Sequence, residues 1–189
     1  MSPAWRNRSV GLVIAGLVFV LDQWLKSWVV STWGLVNEGQ QIVLTSFFNL
    51  TRVHNRGVSL GMFTAGSPEM RWALVGVTGL IAIVVFVWMM RERKRWDIAA
   101  LGLILGGALG NIRDRYDHGF VLDYADFHIG SFHPFLVINL ADACITCGVL
   151  IILARALFMR EKPPAPQGET QPAQGEQLAD PTAENSTNA

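Results

Sequence analysis

Four apolar stretches organise this chain, and polar residues interrupt or flank three of them. Trp72 to Met90 is unbroken and close to the ~20 residues that a bilayer-crossing helix needs. Val10 to Val30 is similar in length but carries Asp22 and Lys26, Ile98 to Ile112 is shorter and rich in glycine, and Leu136 to Ala154 carries Asn139 and Asp142 near its start. The pattern predicts an α-helical membrane protein with four transmembrane helices, over about residues 10–30, 72–90, 98–112 and 136–154. Arg6 and Arg8 before the first stretch look like the start of a signal peptide. No small-x-small cleavage site comes after it, and Asp22 and Lys26 break the apolar run, so it reads as an uncleaved span. The outer loops then cover about residues 31–71 and 113–135. In the first, Gln41–Leu44 and Phe47–Leu50 are strand-like, while Gly57, Gly61 and Gly66-Ser67-Pro68 punctuate its second half. A small extracytoplasmic β-rich element lying on the membrane surface is expected there.

Charge gives the predicted spans a direction. Arg6 and Arg8 precede the first span, Arg91, Arg93, Lys94 and Arg95 fill the second link, and Arg155, Arg160 and Lys162 come after the fourth span. The positive-inside rule places these groups in the cytoplasm, with both termini inside and both longer loops outside. Trp28, Trp33, Trp72, Trp88 and Trp96 fall near span ends, as interfacial aromatics do. At 51% hydrophobic and 16% charged, with mean hydropathy +0.32, the 189 residues suffice for one domain and are too apolar for an ordinary soluble one. The formal net charge is zero, so no basic surface argues for nucleic acid. From residue 162 to 189 the chain is polar and proline-rich, and it reads as a disordered cytoplasmic tail behind a membrane domain of residues 1–161. Cys144 and Cys147, three apart in an apolar run, read as small packing residues, too few for a zinc site.

Acids inside lipid are costly, so each polar cluster is a candidate for chemistry. Asp22 and Lys26 share a helix face and can pair across one turn. Gly102, Gly106 and Gly110 form a small-xxx-small stripe that invites a neighbouring backbone. Asn111, Asp114 and Arg115 fall on one face just beyond it, suited either to capping and ion pairing or to orienting catalytic groups or a lipid phosphate. Asn139, Asp142 and Thr146 make a polar face on the fourth span that must point into the bundle. Asp123 and Asp126 both lie in the preceding loop, and spacing alone does not choose between them as a partner for Asp142.

Five motifs in order, Asp22-Gln23-Trp24-Leu25-Lys26, Asn55-Arg56-Gly57-Val58-Ser59, Gly106 to Arg115, Val121-Leu122-Asp123-Tyr124 and Asn139-Leu140-Ala141-Asp142, resemble the lipoprotein signal peptidases (signal peptidase II), bacterial inner-membrane aspartic peptidases. The resemblance covers about residues 12–158. It implies that Asp123, between Val-Leu and an aromatic residue, and Asp142, in an Asn-x-Ala-Asp motif, are the catalytic pair. Asn55, Gly57, Asn111, Arg115 and Asn139 would line or support the site, and Asp22, Lys26 and Asp114 would support the fold. Two positions depart from the pattern: Leu60 and Tyr124 each stand where phenylalanine is commoner. Both keep bulk, so only fine substrate preference is affected.

The implied activity is removal of signal peptides from diacylglyceryl-modified prolipoproteins, by cleavage before the lipidated cysteine. A monomer among membrane lipids, with its active site at the extracytoplasmic face, would do this. Two neighbouring carboxylates that share a proton supply a general base and a general acid with no metal or other cofactor. Two alternatives use the same residues differently. A magnesium-dependent phosphoalcohol transferase would need Asp114, Asp117, Asp123 and Asp126 to converge on a cation. A proton or ion pathway would be lined by Asp22, Lys26 and Asp142.

Overall fold

The computed structural model describes residues 3–57, 67–130 and 136–158. Its elements run α1 (Pro3–Ser31), β1 (Gln41–Val43), β2 (Phe48–Asn55), α2 (Pro68–Arg91), α3 (Arg95–His118), β3 (Val121–Phe127) and α4 (Leu140–Phe158). Among the described residues three helices are long and apolar enough to cross a membrane: α1 from Asn7 onward, α2 and α4. Their outward surfaces are apolar and exposed, with Val77, Leu80, Ile81 and Val84 on α2 and Leu150 and Leu153 on α4, as lipid-facing residues are. Residues 58–66, which include Gly61, Gly66 and Leu60, and the expected tail from 162 lie outside the described residues.

The third helix is the central one, packed against α1, α2 and α4. Glycine lets its neighbours approach on two sides. A Cβ at Gly102 would sit 2.6 Å from the Gly11 carbonyl oxygen, and one at Gly106 would sit 2.5 Å from that of Ala15, both on α1. On the opposite side a Cβ at Gly107 would sit 2.5 Å from the Ala141 carbonyl oxygen of α4. Below the polar end, Ala15, Ala82, Val85, Met89, Ile98, Leu101 and Leu105 close an apolar core between α1, α2 and α3. The helix runs well past the predicted end at Ile112. Asn111 and Asp114 are buried against protein rather than facing lipid, so the polar residues that end the apolar run do not end the helix. Gly119, at φ 84°, terminates it in the left-handed conformation. Arg71 of α2 satisfies its last carbonyls, donating from Nε to the Arg115 oxygen at 2.7 Å and from Nη2 to the Tyr116 oxygen.

The sheet is antiparallel in the order β1-β2-β3. Gln41 faces Thr51 across β1 and β2, and Val53 faces Asp123 and Asn55 faces Val121 across β2 and β3. Both strand-like pieces of the first outer loop form strands, and the second runs on to Asn55. β3 corrects the sequence reading, which left residues 113–135 as loop. Val121, Leu122, Asp123 and Tyr124 are all buried, because protein covers both faces of the strand, so no alternation of polar and apolar residues announces it. Val29, Leu35, Leu50 and Tyr124 form the apolar contact that seats this sheet on the end of α1. α4 starts at Leu140 rather than Leu136. Just before it, Ile138 is bridged to Ala125 of β3, which brings the start of α4 beside the strand.

Candidate active site

Asp123 projects from the middle of β3, and Asp142 lies in the first turn of α4. The Ala125–Ile138 bridge brings these two elements side by side, and Asn139 joins them. Asn139 is the N-cap of α4: its Oδ1 accepts from the Asp142 backbone N–H at 2.9 Å. Its Nδ2 donates to Asp123 Oδ1 at 2.6 Å. One amide therefore spans the pair, touching the side chain of one aspartate and the main chain of the other. The sequence placed Asn139 on the helix face with Asp142 and Thr146, whereas the structure moves it to the cap, one turn earlier in function.

Each aspartate has one further amide partner. Asn55, at the end of β2, donates from Nδ2 to Asp123 Oδ2 at 3.0 Å, and Asn111 of α3 donates from Nδ2 to Asp142 Oδ1 at 2.7 Å. Asn55 is oriented in turn by Gly57, whose backbone N–H donates to Asn55 Oδ1 at 3.0 Å. Gly57 has φ 105°, and a Cβ there would collide with the Leu74 side chain of α2, so glycine is required twice over at this turn. Arg115 lies close enough to Asp142, Asp123 and Asp114 to interact with all three charges, and its buried Nε lacks a hydrogen-bond partner among the described residues.

Asp123 is 2% exposed, and burial together with the charge of Asp142 pushes its pKa up to about 6, against the pull of Asn55, Asn139 and Lys26. A carboxyl poised there can hold or release a proton near neutral pH, as acid/base chemistry asks.

The remaining polar residues of the sequence reading sort around this centre. Lys26 Nζ lies 2.7 Å from Asp22 Oδ2, the pair expected on α1, and 2.9 Å from Asp114 Oδ2. Gln23, which the sequence reading did not weigh, joins the group by donating from Nε2 to Asp114 Oδ1 at 2.9 Å. Its signal was its place between two polar residues of one motif. Arg71 was also missed, because nothing in sequence ties a residue before an apolar run to the far end of another helix. Asp126 is buried and turned away, accepting from Thr51 Oγ1 at 2.9 Å and Gln41 Nε2 at 3.3 Å. Asp117 pairs with Arg113 at 3.2 Å on the surface. The four acids that a magnesium site would need thus go to separate partners. Among the described residues no group of three or more His, Cys, Asp or Glu is placed to hold a metal ion.

Comparison with known proteins covers the same region. The model of the family described as signal peptidase (SPase) II matches residues 14–158. The lipoprotein signal peptidase of Sphingopyxis alaskensis is 52% identical over 163 residues, 86% of this chain and 92% of that protein. That of Rhizorhabdus wittichii is 49% identical over 155 residues, 82% of this chain and 90% of that protein. A solved structure described as a bacterial membrane enzyme, obtained by the in meso method at 1.9 Å resolution, superposes with TM-score 0.68 at 27% identity, covering 79% of this chain and 94% of its own. The matched region holds the sheet, three complete helices and most of α1, and it includes both aspartates with the amides that hold them; the chain belongs to the signal peptidase II family.

Proposed function

We propose that this protein is an aspartic endopeptidase whose dyad is Asp123 and Asp142, and that it removes signal peptides from diacylglyceryl-modified prolipoproteins just before the lipidated cysteine. The observation that carries the assignment is the Asn139 side chain, which bonds Asp123 through one atom and the start of the Asp142 turn through the other. Family membership supplies the reaction class.

The chemistry derives from the pair. Two close carboxyl groups do not both ionise readily, so one keeps a proton. The ionised group takes a proton from a water molecule, whose oxygen attacks the scissile carbonyl carbon. The protonated group hydrogen-bonds the carbonyl oxygen as negative charge gathers there, then gives its proton to the nitrogen as the C–N bond breaks. The proton taken from water remains on the dyad, which is ready for another cycle with the roles exchanged. The pair titrates as a unit. Asn55, Asn111 and Asn139 hold the carboxyl planes, and the Nε–H of Arg115 is available to a substrate oxygen.

The reading extends to the membrane. All four helices cross it, both termini are cytoplasmic in the bacterial inner membrane, and the dyad lies at the extracytoplasmic face under the sheet. A monomer embedded in lipid suffices, with residues 1–161 as the peptidase and the remainder dispensable for cleavage. Incubating the purified protein with a lipidated and an unlipidated precursor, with and without chelator, tests the proposal. Only the lipidated precursor should be cut, and equally well with chelator. Loss of cutting in chelator would overturn the metal-free chemistry of the dyad, and equal cutting of both precursors would remove the lipid from the specificity.

A further inference from the structure

We propose that Asp22, Lys26 and Asp114 are positioning residues that set the distance between the two catalytic carboxyl groups by gripping the backbone N–H that immediately precedes each of them. The inference rests on the assignment of Asp123 and Asp142 as the dyad. Asp22 Oδ1 accepts from the Ala141 N–H at 3.0 Å, one residue before Asp142. Asp114 Oδ2 accepts from the Leu122 N–H at 3.1 Å, one residue before Asp123. The Lys26 ammonium bridges the two acids, at 2.7 Å from Asp22 and 2.9 Å from Asp114. A continuous polar chain therefore runs from the N-terminal turn of α4, through α1 and α3, to β3.

The arrangement is anchored on helices whose register is tightly held. Gly102 and Gly106 bring α3 against the backbone of α1, and a Cβ at Gly110 would sit 2.5 Å from Asp22 Oδ2. Asp22 and Asp114 thus ride on two helices that cannot slide past one another without collision. Lys26 makes a further contact, donating to Asn111 Oδ1 at 3.3 Å. With its oxygen turned to the cation, Asn111 presents its nitrogen to Asp142. Helix association alone does not explain the group. The Lys26 and Asp114 side chains are each 6% exposed and that of Asp22 is 0% exposed, and buried ions are often replaceable by apolar packing without loss of stability. What the acids supply, and apolar residues could not, is an acceptor for an orphan N–H of the first turn of α4 and another for β3.

The test compares Asp22→Ala, Asp114→Ala, Asp22→Asn, Asp114→Asn and Lys26→Met with the parent in steady-state cleavage of a lipidated precursor. Rates are taken per folded protein, as measured by thermal unfolding, with Asp123→Asn and Asp142→Asn as controls. None of the five touches the scissile bond, so kcat should fall while KM stays at the parent value. The alanine variants should lose at least about tenfold in kcat, on the scale of a dyad displaced by a fraction of an ångström. The asparagine variants keep an oxygen for the N–H and should recover most of that loss. Lys26→Met keeps both acceptors but unlinks them, and it decides the matter where an alanine variant does not accumulate. It should lower kcat and displace the kcat–pH profile to higher pH. The charged groups acting on Asp123 are Asp142 of α4, Arg115 of α3 and Lys26 of α1, the last itself paired with Asp22 and Asp114, and the variant removes one of the two cations among them. A parent-like kcat and pH profile, a loss carried by KM, or asparagine variants as impaired as the alanine ones would overturn the proposal. Active Asp123→Asn or Asp142→Asn would instead overturn the dyad assignment itself.

Discussion

Asp123 is under opposing demands. Burial and the neighbouring Asp142 favour its protonated form and bring its pKa to about 6, while amide donors from Asn55 and Asn139 favour the carboxylate. Unfolded, the group titrates near the ordinary aspartate value, so between about pH 4 and 6 the folded chain binds the extra proton and stability falls as pH rises. The penalty above pH 6 is on the order of 3 kcal/mol. Asp123→Asn removes it, less what an amide nitrogen costs when it faces an amide donor. The melting temperature of the variant in detergent should therefore gain on the parent between pH 4 and pH 7, although its activity is lost. Parallel melting curves at both pH values would show that the carboxyl is not strained. Asp123→Asn and Asp142→Asn should each lower cleavage by ~10²–10⁴-fold, the value of a lost general acid or base, and the double variant should lose little more. Asp126→Asn should keep most activity, since that side chain serves Thr51 and Gln41. A dead Asp126→Asn beside an active Asp123→Asn would reverse the assignment.

At the scale of elements, α3 decides where everything polar goes. The glycine stripe reads in sequence as packing, and Gly102 and Gly106 are that, against α1. Gly110, the third of the stripe, makes room for the Asp22 carboxylate instead, so packing and the polar network share one stripe. Gly106→Ala would place a methyl 2.5 Å from the Ala15 carbonyl oxygen and 2.8 Å from Val18 Cβ. Overpacking of this kind costs about 1–3 kcal/mol and should lower the unfolding temperature and cleavage together. Gly16→Ala on α1, where nothing among the described residues lies within 4 Å of the added atom, should be neutral or slightly stabilising, because alanine favours helix. Equal unfolding temperatures for the two variants would show that α1 and α3 have room to separate. The other lesson at this scale is β3. Its four consecutive buried residues carry no period-2 signal, and its partner β2 lies more than sixty residues earlier, so only the pairing itself identifies it as a strand.

At the scale of the molecule, three helices among the described residues qualify as spans by length and composition, and α3 is proposed as the fourth on position. Its 24 residues extend about 36 Å, more than the ~30 Å hydrocarbon core. It lies among α1, α2 and α4, with Asn111, Asp114 and Arg115 gathered towards one end. Reporter fusions after Lys94 and after Gly39 should report opposite sides of the membrane, and one after Gly130 should agree with Gly39. Lys94 and Gly39 on the same side would sink the orientation, and Gly130 on the side of Lys94 would remove α3 from the spans.

The amino-acid sequence by itself determined the membrane class and the places of the apolar helices, because lipid acts on local runs of residues. It also marked both aspartates and every amide that holds them, since polar residues in or beside apolar runs stand out and their motifs resemble those of one family. Tertiary structure decided what those residues do to each other. Asn139 becomes a cap that bridges two acids, Asp126 turns to the strands beside it, and Asp114 leaves its helical neighbours for Lys26 on α1. Each outcome depends on contacts between elements distant along the chain, which the packing of α1 and α4 onto α3 brings within hydrogen-bond reach.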